Sequence, residues 1–453
     1  MKSGEKKAVS GFIEWPPKIK KIEETWLRRI SEKFHANGFV PVETAAVEYL
    51  STLQIKGEID KEIYCLSKLG SDLSKELALH YDLTIPLARY VTEHFSLLTF
   101  PFKRYQVQKV WRGERPQFGR YREFYQADID VIDSENLAQL YDAQVLCVGV
   151  EAMLTLKIAP FRVGVSNRKI YEGYLRGLGV ADPTPVLRVI DKLDKIGSDG
   201  VKKSLTDALG MDGKLIEQCL ALAIVELGDR SPAELAKQLG VENELFSQGL
   251  NELEQLMANI HLIGAPDAQA VIYPNLSFVR GFDYYTGSIF EGKFAGDTTF
   301  GSICSGGRYD NLAEGFGSKK LPGVGFSIGV TRILAKESLT AESMADFPKQ
   351  TSDFCLILDA ETQNPKSLIA NGDKLKALGH SVNVVVVNKL KKGLQIASRT
   401  EASVAMFMFD EKIMLKQLAT GEQVELSSIT SLGEQAKALL GHSPGPWSGQ
   451  SET

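Results

Sequence analysis

One block of the chain, from about residue 168 to residue 264, has almost uninterrupted helical periodicity. In VLRVIDKLDKIG, LIEQCLALAIVELG and ELFSQGLNELEQLMANI, apolar residues recur three and four apart, as on one face of a helix. Strand and glycine patterns surround the block and resume at Phe278. The block is therefore predicted to be a helical domain, residues 168–265, inserted into a first domain made of residues 1–167 and 266–340.

The first domain is predicted to mix helices with strands. Apolar residues four apart predict an amphipathic helix over Ile19–Asn37, and Gly38 suits the left-handed position that ends a helix. A second helix is predicted over Leu137–Leu156, which is apolar on one face. The predicted strands are Phe39–Glu43, Lys103–Val110, Phe124–Ile132, Phe161–Val165 and Ile289–Lys293.

The last third of the chain repeats a strand–helix–strand order. FCLILDA, SVNVVVV and VAMFMF read as strands, and SLIANGDKLKALG and KLKKGLQIASRT as the helices between them. This order implies parallel pairing with right-handed crossovers, so residues 350–440 are predicted to form a small α/β domain. Lys336–Ser352 is expected to be a linker, and the polar, Pro/Gly-rich residues 441–453 are expected to be disordered.

Composition excludes several classes of protein. The net charge of −5 argues against a chain coated with nucleic acid but allows a local phosphate-binding patch. The five cysteines are scattered without C-x-x-C spacing, so we expect reduced thiols and no zinc. No apolar run approaches the roughly 20 residues that span a bilayer, and the start lacks a secretory signal. We therefore expect a cytoplasmic protein without membrane association.

The segment VWRGERPQFGRYREFYQ, residues 110–126, is rich in arginine. It reads as a strand, a charged turn and a returning strand, which together form an antiparallel hairpin. Arginine forks bind phosphate oxygens bidentately, so the cluster suits a polyphosphate. The alternative is a solvated hairpin held by salt bridges. The charged residues concerned are Arg112, Arg115, Arg120, Arg122, Glu114 and Glu123.

Two further segments carry polar residues suited to a small ligand. In VRGFDYYTGSIF, residues 279–290, Arg280 could neutralise charge on a phosphoryl group, and the tyrosines could orient a polar ligand. In LALHYDLTIPLARY, residues 77–90, Asp82 and Thr84 would share one face of an extended segment and hold an ammonium group. The alternatives are a turn with core aromatics and a turn with a capping aspartate.

Glycines mark two more candidate segments. In GVGFSIGVTRIL, residues 323–334, a glycine-punctuated strand is predicted to run into a helix that carries Arg332. In SGGRYDNLAEGFG, Gly306 and Gly307 permit close approach of a ligand.

Together these segments resemble one family. RGERPQFGRYREFYQ is similar to motif 2 of class II aminoacyl-tRNA synthetases in its histidine-specific form, VRGFDYYTG resembles the histidyl-tRNA synthetase signature, and GVGFSIGVTRIL resembles motif 3. The resemblance covers nearly the whole chain. It implies an α+β catalytic domain built on an antiparallel sheet, the class II synthetase fold, with a helical insertion and a C-terminal α/β anticodon-binding domain.

The resemblance implies a ligase that activates L-histidine with ATP and Mg²⁺ and transfers it to the 3′ end of tRNA(His), as a homodimer. Two other members of the wider group remain as alternatives. One is the non-catalytic regulatory subunit of ATP phosphoribosyltransferase, and the other is the tRNA-like sensor domain of a stress kinase, which we disfavour because no kinase segment accompanies it. Retention of Arg112, Arg280 and Arg332, followed by a C-terminal domain, favours the enzyme.

The resemblance also assigns roles to individual residues. ATP would be bound by Arg112 and Arg280 at the α-phosphate, Glu114 and Phe124 at the adenine, and Arg332 at the γ-phosphate, with Arg112 and Arg280 catalytic. Histidine would be bound by Asp82, Thr84 and Gln126 at the ammonium, Arg112 and Arg280 at the carboxylate side, and Asp130, Tyr284 and Tyr285 at the imidazole. Transfer RNA would contact Lys389, Lys391, Lys392 and Arg399. No side chain is identified as a direct metal ligand.

This chain departs from the common family pattern at three positions. Ala45 stands where motif 1 usually has proline, and Asp82 and Asp130 stand where many members have glutamate. The shorter acidic side chains are expected to shift the ligand slightly or to recruit a water molecule.

Overall fold

The four-residue spacing of Ile22, Trp26, Ile30 and Phe34 produces a helix whose buried face contains all four side chains. In the computed structural model this helix, α1, covers Pro17–Ala36, and Gly38 follows it with a left-handed φ of 80°. The described residues are 8–56, 60–70, 76–223, 232–276, 285–297, 299–317, 320–338, 352–360, 362, 365–426 and 432–440.

The chain divides into two compact units, residues 1–344 and 345–453. The strands described in the first unit are β1 (Val40–Pro41), β2 (Val47–Tyr49), β3 (Cys65–Leu66), β4 (Leu77–Leu79), β5 (Phe102–Trp111), β6 (Glu123–Ile132), β7 (Phe161–Asn167), β8 (Ile272–Pro274), β9 (Ser288–Phe294), β10 (Cys304–Tyr309) and β11 (Gly323–Gly329). The helices that follow α1 are α2 (Leu50–Leu53), α3 (Thr84–Glu93), α4 (Leu140–Leu154), α5 (Arg168–Gly177), α6 (Pro183–Ile190), α7 (Leu193–Leu209, kinked at Gly197), α8 (Gly213–Ala221), α9 (Pro232–Leu239), α10 (Glu244–Ile263), α11 (Pro266–Val271) and α12 (Val330–Glu337).

Most of these strands form one mixed sheet in the order β1-β5-β6-β11-β10-β9-β7-β8. From β5 to β7 every neighbouring pair is antiparallel, whereas the edge pairs β1/β5 and β7/β8 are parallel. The predicted fold class, an α+β domain built on an antiparallel sheet, is confirmed. The parallel pairs at the two edges of the sheet were not predicted. A small sheet, β2-β4-β3, lies beside the large one.

Helix α4 is buried on almost every side because it packs against β11, α1 and α10. Helices α5 to α10 follow one another between β7 and β8, with residues 224–231 outside the description. The limits predicted for the inserted domain, 168–265, remain a prediction. The expected linker begins later than predicted, because Lys336 and Glu337 belong to α12, where the Glu337 carboxylate accepts a hydrogen bond from the Ala159 backbone.

The second unit has the predicted strand–helix alternation. Its sheet has the order β13-β12-β14-β15-β16, with β12 parallel to both of its neighbours. Separate apolar clusters cover the two faces of this sheet. Its described elements are β12 (Phe354–Leu358), α13 (Pro365–Ala377), β13 (Val382–Val386), α14 (Leu390–Arg399), β14 (Val404–Phe409), β15 (Lys412–Gln417), β16 (Gln423–Glu425) and α15 (Leu432–Leu440). The expected tail, 441–453, lies outside the described residues.

Candidate active site

The arginine-rich segment forms the predicted antiparallel hairpin of β5 and β6, in which Val110 lies opposite Phe124. Arg112 begins the turn, and its Nε donates to the carbonyl of Tyr81 at 2.9 Å. Its guanidinium carbon lies 5.2 Å from the centroid of the Phe124 ring. These two contacts fix the Arg112 side chain in the wall of a large cleft.

The charged turn has features of both alternatives predicted for it, a hairpin held by salt bridges and a ligand-binding cluster. Arg120 forms an ion pair with Glu114 at 2.6 Å, and Arg122 Nε donates to the Glu114 carbonyl at 3.0 Å. Arg122 also binds the N-terminal segment, since its backbone N donates to the Gly11 carbonyl at 2.7 Å. Glu114 and Arg120 line the same cleft as Arg112. Salt bridges therefore hold the hairpin in shape, and its inner face remains available to a ligand.

Asp82 and Thr84 line the cleft, but the extended segment predicted for them is wrong. Leu83 has α-helical backbone angles, and Thr84 is the first residue of α3. Asp82 Oδ1 accepts a hydrogen bond from the backbone N of Ile85 at 3.2 Å, so Asp82 caps the helix. The capping alternative was correct for the local structure, and the same side chain faces the cleft.

The floor of the cleft is formed by alternate residues of β6. Gln126, Asp128 and Asp130 are each less than 10% exposed and line the cleft. Asp130 Oδ2 pairs with the fully buried Arg104 at 2.7 Å, and its Oδ1 accepts a hydrogen bond from the Tyr309 hydroxyl at 2.5 Å. Asp130 is thus an ion-paired carboxylate at the base of the cleft.

Burial raises the pKa values of the three acidic side chains. The pKa of Asp82 rises to about 6, although Arg112 and the start of α3 oppose the rise. The pKa of Asp128 rises to about 7, against the opposing charge of Arg104. The pKa of Asp130 is also raised by burial, with Arg104 and Tyr309 acting to lower it. A concentration of buried acids with raised pKa values favours a positively charged ligand.

The cleft is also lined by Arg332, which belongs to α12, as predicted. Its guanidinium donates to the carbonyl of Phe300 and lies 5.3 Å from the centroid of that ring. Gly301 has a left-handed φ of 84°, and a Cβ there would press on the Arg332 guanidinium. A cleft lined by both buried acids and arginines suits ligands that carry both positive and negative groups.

The structure brings most of the predicted site residues to this one cleft, whose volume is about 1270 Å³. Those that line it are Asp82, Thr84, Arg112, Glu114, Phe124, Gln126, Asp130, Tyr285 and Arg332. Arg280 and Tyr284 lie outside the described residues. The predicted tRNA contacts belong to the second unit, where Lys389, Lys391, Lys392 and Arg399 are exposed in and just before α14.

Four residues of the site were not predicted from the sequence: Asp128, Arg104, Tyr309 and Ser327. A signal for Asp128 was present, because polar residues at alternate positions of FYQADIDVI place 126, 128 and 130 on one face of a strand. Ser327 and Tyr309 reach this face only through the pairing of distant strands.

Two observations concern metal ions and membranes. Within the described ranges, no group of three or more His, Cys, Asp or Glu side chains is placed to hold a metal ion. None of the described helices combines the length and apolar character that crossing a membrane requires.

Comparison with known proteins gives consistent matches. A histidyl-tRNA synthetase family model matches residues 11–333. A histidine–tRNA ligase of Thermobifida fusca (strain YX) is 41% identical over 425 residues, covering 92% of this chain and 96% of that protein. One from Micrococcus luteus is 46% identical over 345 residues, covering 73% of this chain and 74% of that protein.

Solved structures extend these matches. The crystal structure of histidyl-tRNA synthetase from Nostoc sp. PCC 7120 matches with a TM-score of 0.81 at 32% identity, over 95% of this chain and 99% of that one. A Bacillus halodurans C protein described as an ATP phosphoribosyltransferase regulatory subunit/histidyl-tRNA synthetase has a TM-score of 0.72 at 20% identity, over 90% of this chain and 100% of that one. At that identity the second match shows the fold alone.

This antiparallel sheet, with an arginine-bearing hairpin that lines a polar cleft, is typical of class II aminoacyl-tRNA synthetases, which are enzymes of the ligase class. The family match covers more than half of the chain, and the relatives agree over most of it. The chain belongs to the histidyl-tRNA synthetase family. The predicted family, fold class and enzyme class are therefore confirmed.

Gly325 packs closely against the side chain of Asp130. A Cβ on Gly325 would overlap Asp130 Oδ1, which accepts a hydrogen bond from the Tyr309 hydroxyl, while Oδ2 of the same carboxylate pairs with Arg104. Gly325→Ala is expected to displace this carboxylate, lower the melting temperature and abolish most amino-acid activation, because disrupting a buried ion pair costs about 3–5 kcal/mol.

The measurements are thermal unfolding and amino-acid-dependent pyrophosphate exchange. Gly213→Ala is the matched control, because a Cβ there meets no atom within 4 Å. Wild-type unfolding and activity in Gly325→Ala would show that the Asp130 carboxylate tolerates displacement.

Proposed function

We propose that this chain activates L-histidine with ATP, supplied as its Mg²⁺ complex, and esterifies the histidine to the 3′ end of tRNA(His). The observation that carries the proposal is that buried acids, Arg112 and Arg332 all line one cleft. The family membership of the chain supports the same activity.

Histidine binds beside the buried acids of the cleft. Asp82, Thr84 and Gln126 hold its ammonium group, and Arg112, with Arg280, holds its carboxylate. The imidazole lies toward Asp130 and Tyr285, with Tyr284 beside it. The burial of Asp130 and its pairing with Arg104 support this placement, because the carboxylate is held rigidly and retains lone pairs for a ring N–H.

ATP binds beside the arginines of the cleft. Phe124 stacks on the adenine, Glu114 faces the same base, and Arg332 binds the γ-phosphate. The contact of Arg112 with the Phe124 ring supports this placement, because it brings the residue proposed for the α-phosphate next to the residue proposed for the adenine. The Mg²⁺ ion enters with the polyphosphate as part of the substrate.

The reaction has two steps. A histidine carboxylate oxygen attacks the α-phosphorus in line, the bond to the bridging oxygen breaks, and pyrophosphate leaves. A terminal ribose hydroxyl of the tRNA then attacks the acyl carbonyl, loses its proton and releases AMP. Arg112 and Arg280 stabilise charge that develops on the α-phosphate, so catalysis rests on positioning and electrostatics.

The deciding experiment is histidine-dependent exchange of pyrophosphate into ATP, followed by charging of tRNA(His). A regulatory subunit would bind histidine but catalyse neither reaction. Retention of Arg112 and Arg332 in the cleft favours the enzyme. Histidine binding without exchange would favour the regulatory alternative.

The second unit serves as the anticodon-binding domain. Lys392 and Arg399, seven residues apart on α14, are both exposed, as are Lys389 and Lys391. Such a face suits the phosphates of an anticodon stem, and single-stranded bases are read nearby.

Removal of the chain from Asp353 onward is expected to leave histidine activation within a few-fold of wild type but to cripple tRNA charging. The reason is that the cleft belongs entirely to the first unit. The measurements are pyrophosphate exchange and the KM for tRNA at increasing salt, which weakens phosphate contacts. As a milder control, Lys392→Ala combined with Arg399→Ala is expected to raise that KM alone. An unchanged KM for tRNA in the truncated protein would remove this role from the second unit.

The protein acts in the cytoplasm as a homodimer. One face of the small sheet supports dimer formation, because Val47, Tyr49 and Leu77 are apolar and exposed on it. Sedimentation of the wild type and of Tyr49→Glu tests this assembly, and a monomeric wild type would contradict it.

A further inference from the structure

Three acceptor oxygens in residues that line the cleft have no hydrogen-bond partner among the described residues. They are Asp82 Oδ2, Gln126 Oε1 and Asp128 Oδ1, and each is buried. Unpaired buried acceptors are costly, so proteins rarely retain them unless a ligand or water completes them. Two of the three belong to the ammonium site proposed above, whereas Asp128 has no role there.

Strand register brings Asp128 into this group. Ser327 lies opposite Asp128 across the β6/β11 pair, and Gly329 lies opposite Gln126. Gln126 Nε2 donates to Ser327 Oγ at 2.6 Å, and the Ser327 hydroxyl acts to lower the pKa of the neighbouring Asp128 carboxyl. A serine hydroxyl has one proton, so accepting from the amide leaves that proton for the carboxylate. Ser327 therefore fixes Gln126 with its oxygen free, and its own proton is available to the Asp128 carboxylate opposite it.

Asp128 and Asp130, which both lie on the cleft floor, differ in the partners of their carboxylates. Both oxygens of Asp130 already have protein partners, Arg104 and Tyr309. Asp128 is only 3% exposed and lies close enough to Asp82 and Asp130 for their charges to interact with its own. An ammonium group supplies a full positive charge and three N–H donors, which matches three acceptors and an excess of carboxylates.

We propose that Asp128 is a further acceptor for the α-ammonium group of the amino-acid substrate, beside Asp82, Thr84 and Gln126, and that Ser327 is the positioning residue that aligns Gln126 with Asp128. The inference rests on the proposed function, because it takes an α-amino acid as the ligand. It gives Asp128 and Ser327 a role in selecting ligands that carry an α-ammonium group. Neither residue is among those assigned to histidine above.

The test compares three ligands that differ in one group each. L-Histidine has an ammonium, a carboxylate and an imidazole, L-histidinol lacks the carboxylate, and 3-(imidazol-4-yl)propanoate lacks the ammonium. Asp128→Asn is expected to weaken histidine and histidinol about 10- to 100-fold, the usual loss for a hydrogen bond to a charged group, and to leave the propanoate within twofold. Affinities are measured by calorimetry and by competitive inhibition of pyrophosphate exchange.

Ser327→Ala provides a second variant. It is expected to weaken the same two ligands by a smaller factor, and the loss in the double variant is expected to be smaller than the product of the two single losses, because the residues act as one unit. The KM for ATP is expected to stay unchanged in all variants. Asp133→Asn is the matched control, since Asp133 follows the end of β6 and is not among the cleft-lining residues.

Two results would overturn the inference. Equal weakening of all three ligands by Asp128→Asn would place Asp128 at the imidazole, and histidine affinity within twofold of wild type would remove it from the site. Thermal unfolding checks that the variants are folded, and Asp128→Asn is expected to keep or raise the melting temperature because it removes a buried charge. Failure of the proposed function has a different signature, because the wild-type protein itself would then not bind histidine.

Discussion

Histidine is expected to be activated about 10⁴-fold more efficiently than phenylalanine, measured as the ratio of kcat/KM values in pyrophosphate exchange. The two amino acids have rings of similar shape but differ in hydrogen bonding. Asp130 and Tyr285 are buried where the ring is proposed to bind, and a phenyl ring can form a hydrogen bond with neither of them. A site built around polar groups rejects an apolar analogue far more strongly than an apolar site rejects a polar one.

Tyr285→Phe tests the source of this selectivity. Loss of its hydroxyl is expected to lower kcat/KM for histidine and to leave the weak reaction with phenylalanine almost unchanged. The ratio of kcat/KM for histidine to kcat/KM for phenylalanine is therefore expected to fall by about 10-fold or more. Tyr105→Phe on β5 is the control, because Tyr105 is not among the residues that line the cleft. Comparable activation of the two amino acids by the wild-type enzyme would rule out imidazole recognition at Asp130 and Tyr285.

Arg112→Ala is expected to reduce kcat for pyrophosphate exchange by about 10³-fold while the protein stays folded. Arg112 is proposed to touch the α-phosphate, where charge grows during attack by the carboxylate. Its position is set before any ligand binds, by the bond to the Tyr81 carbonyl and by the Phe124 ring. Such a preorganised group stabilises the transition state without the cost of reorientation.

Arg112→Lys separates charge from geometry. Lysine keeps the positive charge but lacks the planar fork, so we expect it to restore only a small part of the lost kcat. Arg115→Ala in the same turn is the control, because Arg115 is exposed and is not a cleft-lining residue. Near wild-type kcat in Arg112→Ala would mean that Arg112 serves only to support the hairpin, and circular dichroism would confirm that the comparison is between folded proteins.

Local sequence patterns predicted much of the fold. The apolar spacing of α1, the hairpin of β5 and β6, the passage from β11 into α12, and the alternation of the second unit all depend on neighbours within one element. In such elements the periodicity of side chains decides which face is buried. Family resemblance then supplied candidate roles for residues in these same elements.

The arrangement of the site depended on contacts between distant segments. The sequence by itself identified Arg112, Asp130 and Arg332, but it did not show that Asp130 pairs with Arg104 and Tyr309. It also placed Asp82 in an extended segment, whereas packing of α3 against the core makes it a helix cap.

The sequence alone therefore determined which elements form and which arginines and acids they carry. Only the tertiary structure decided how those groups meet, including the alignment of Ser327 with Asp128 across β6 and β11. The physical reason is that strand register is set by side-chain packing over the whole sheet, and a shift of one residue would turn every side chain of a strand to the opposite face.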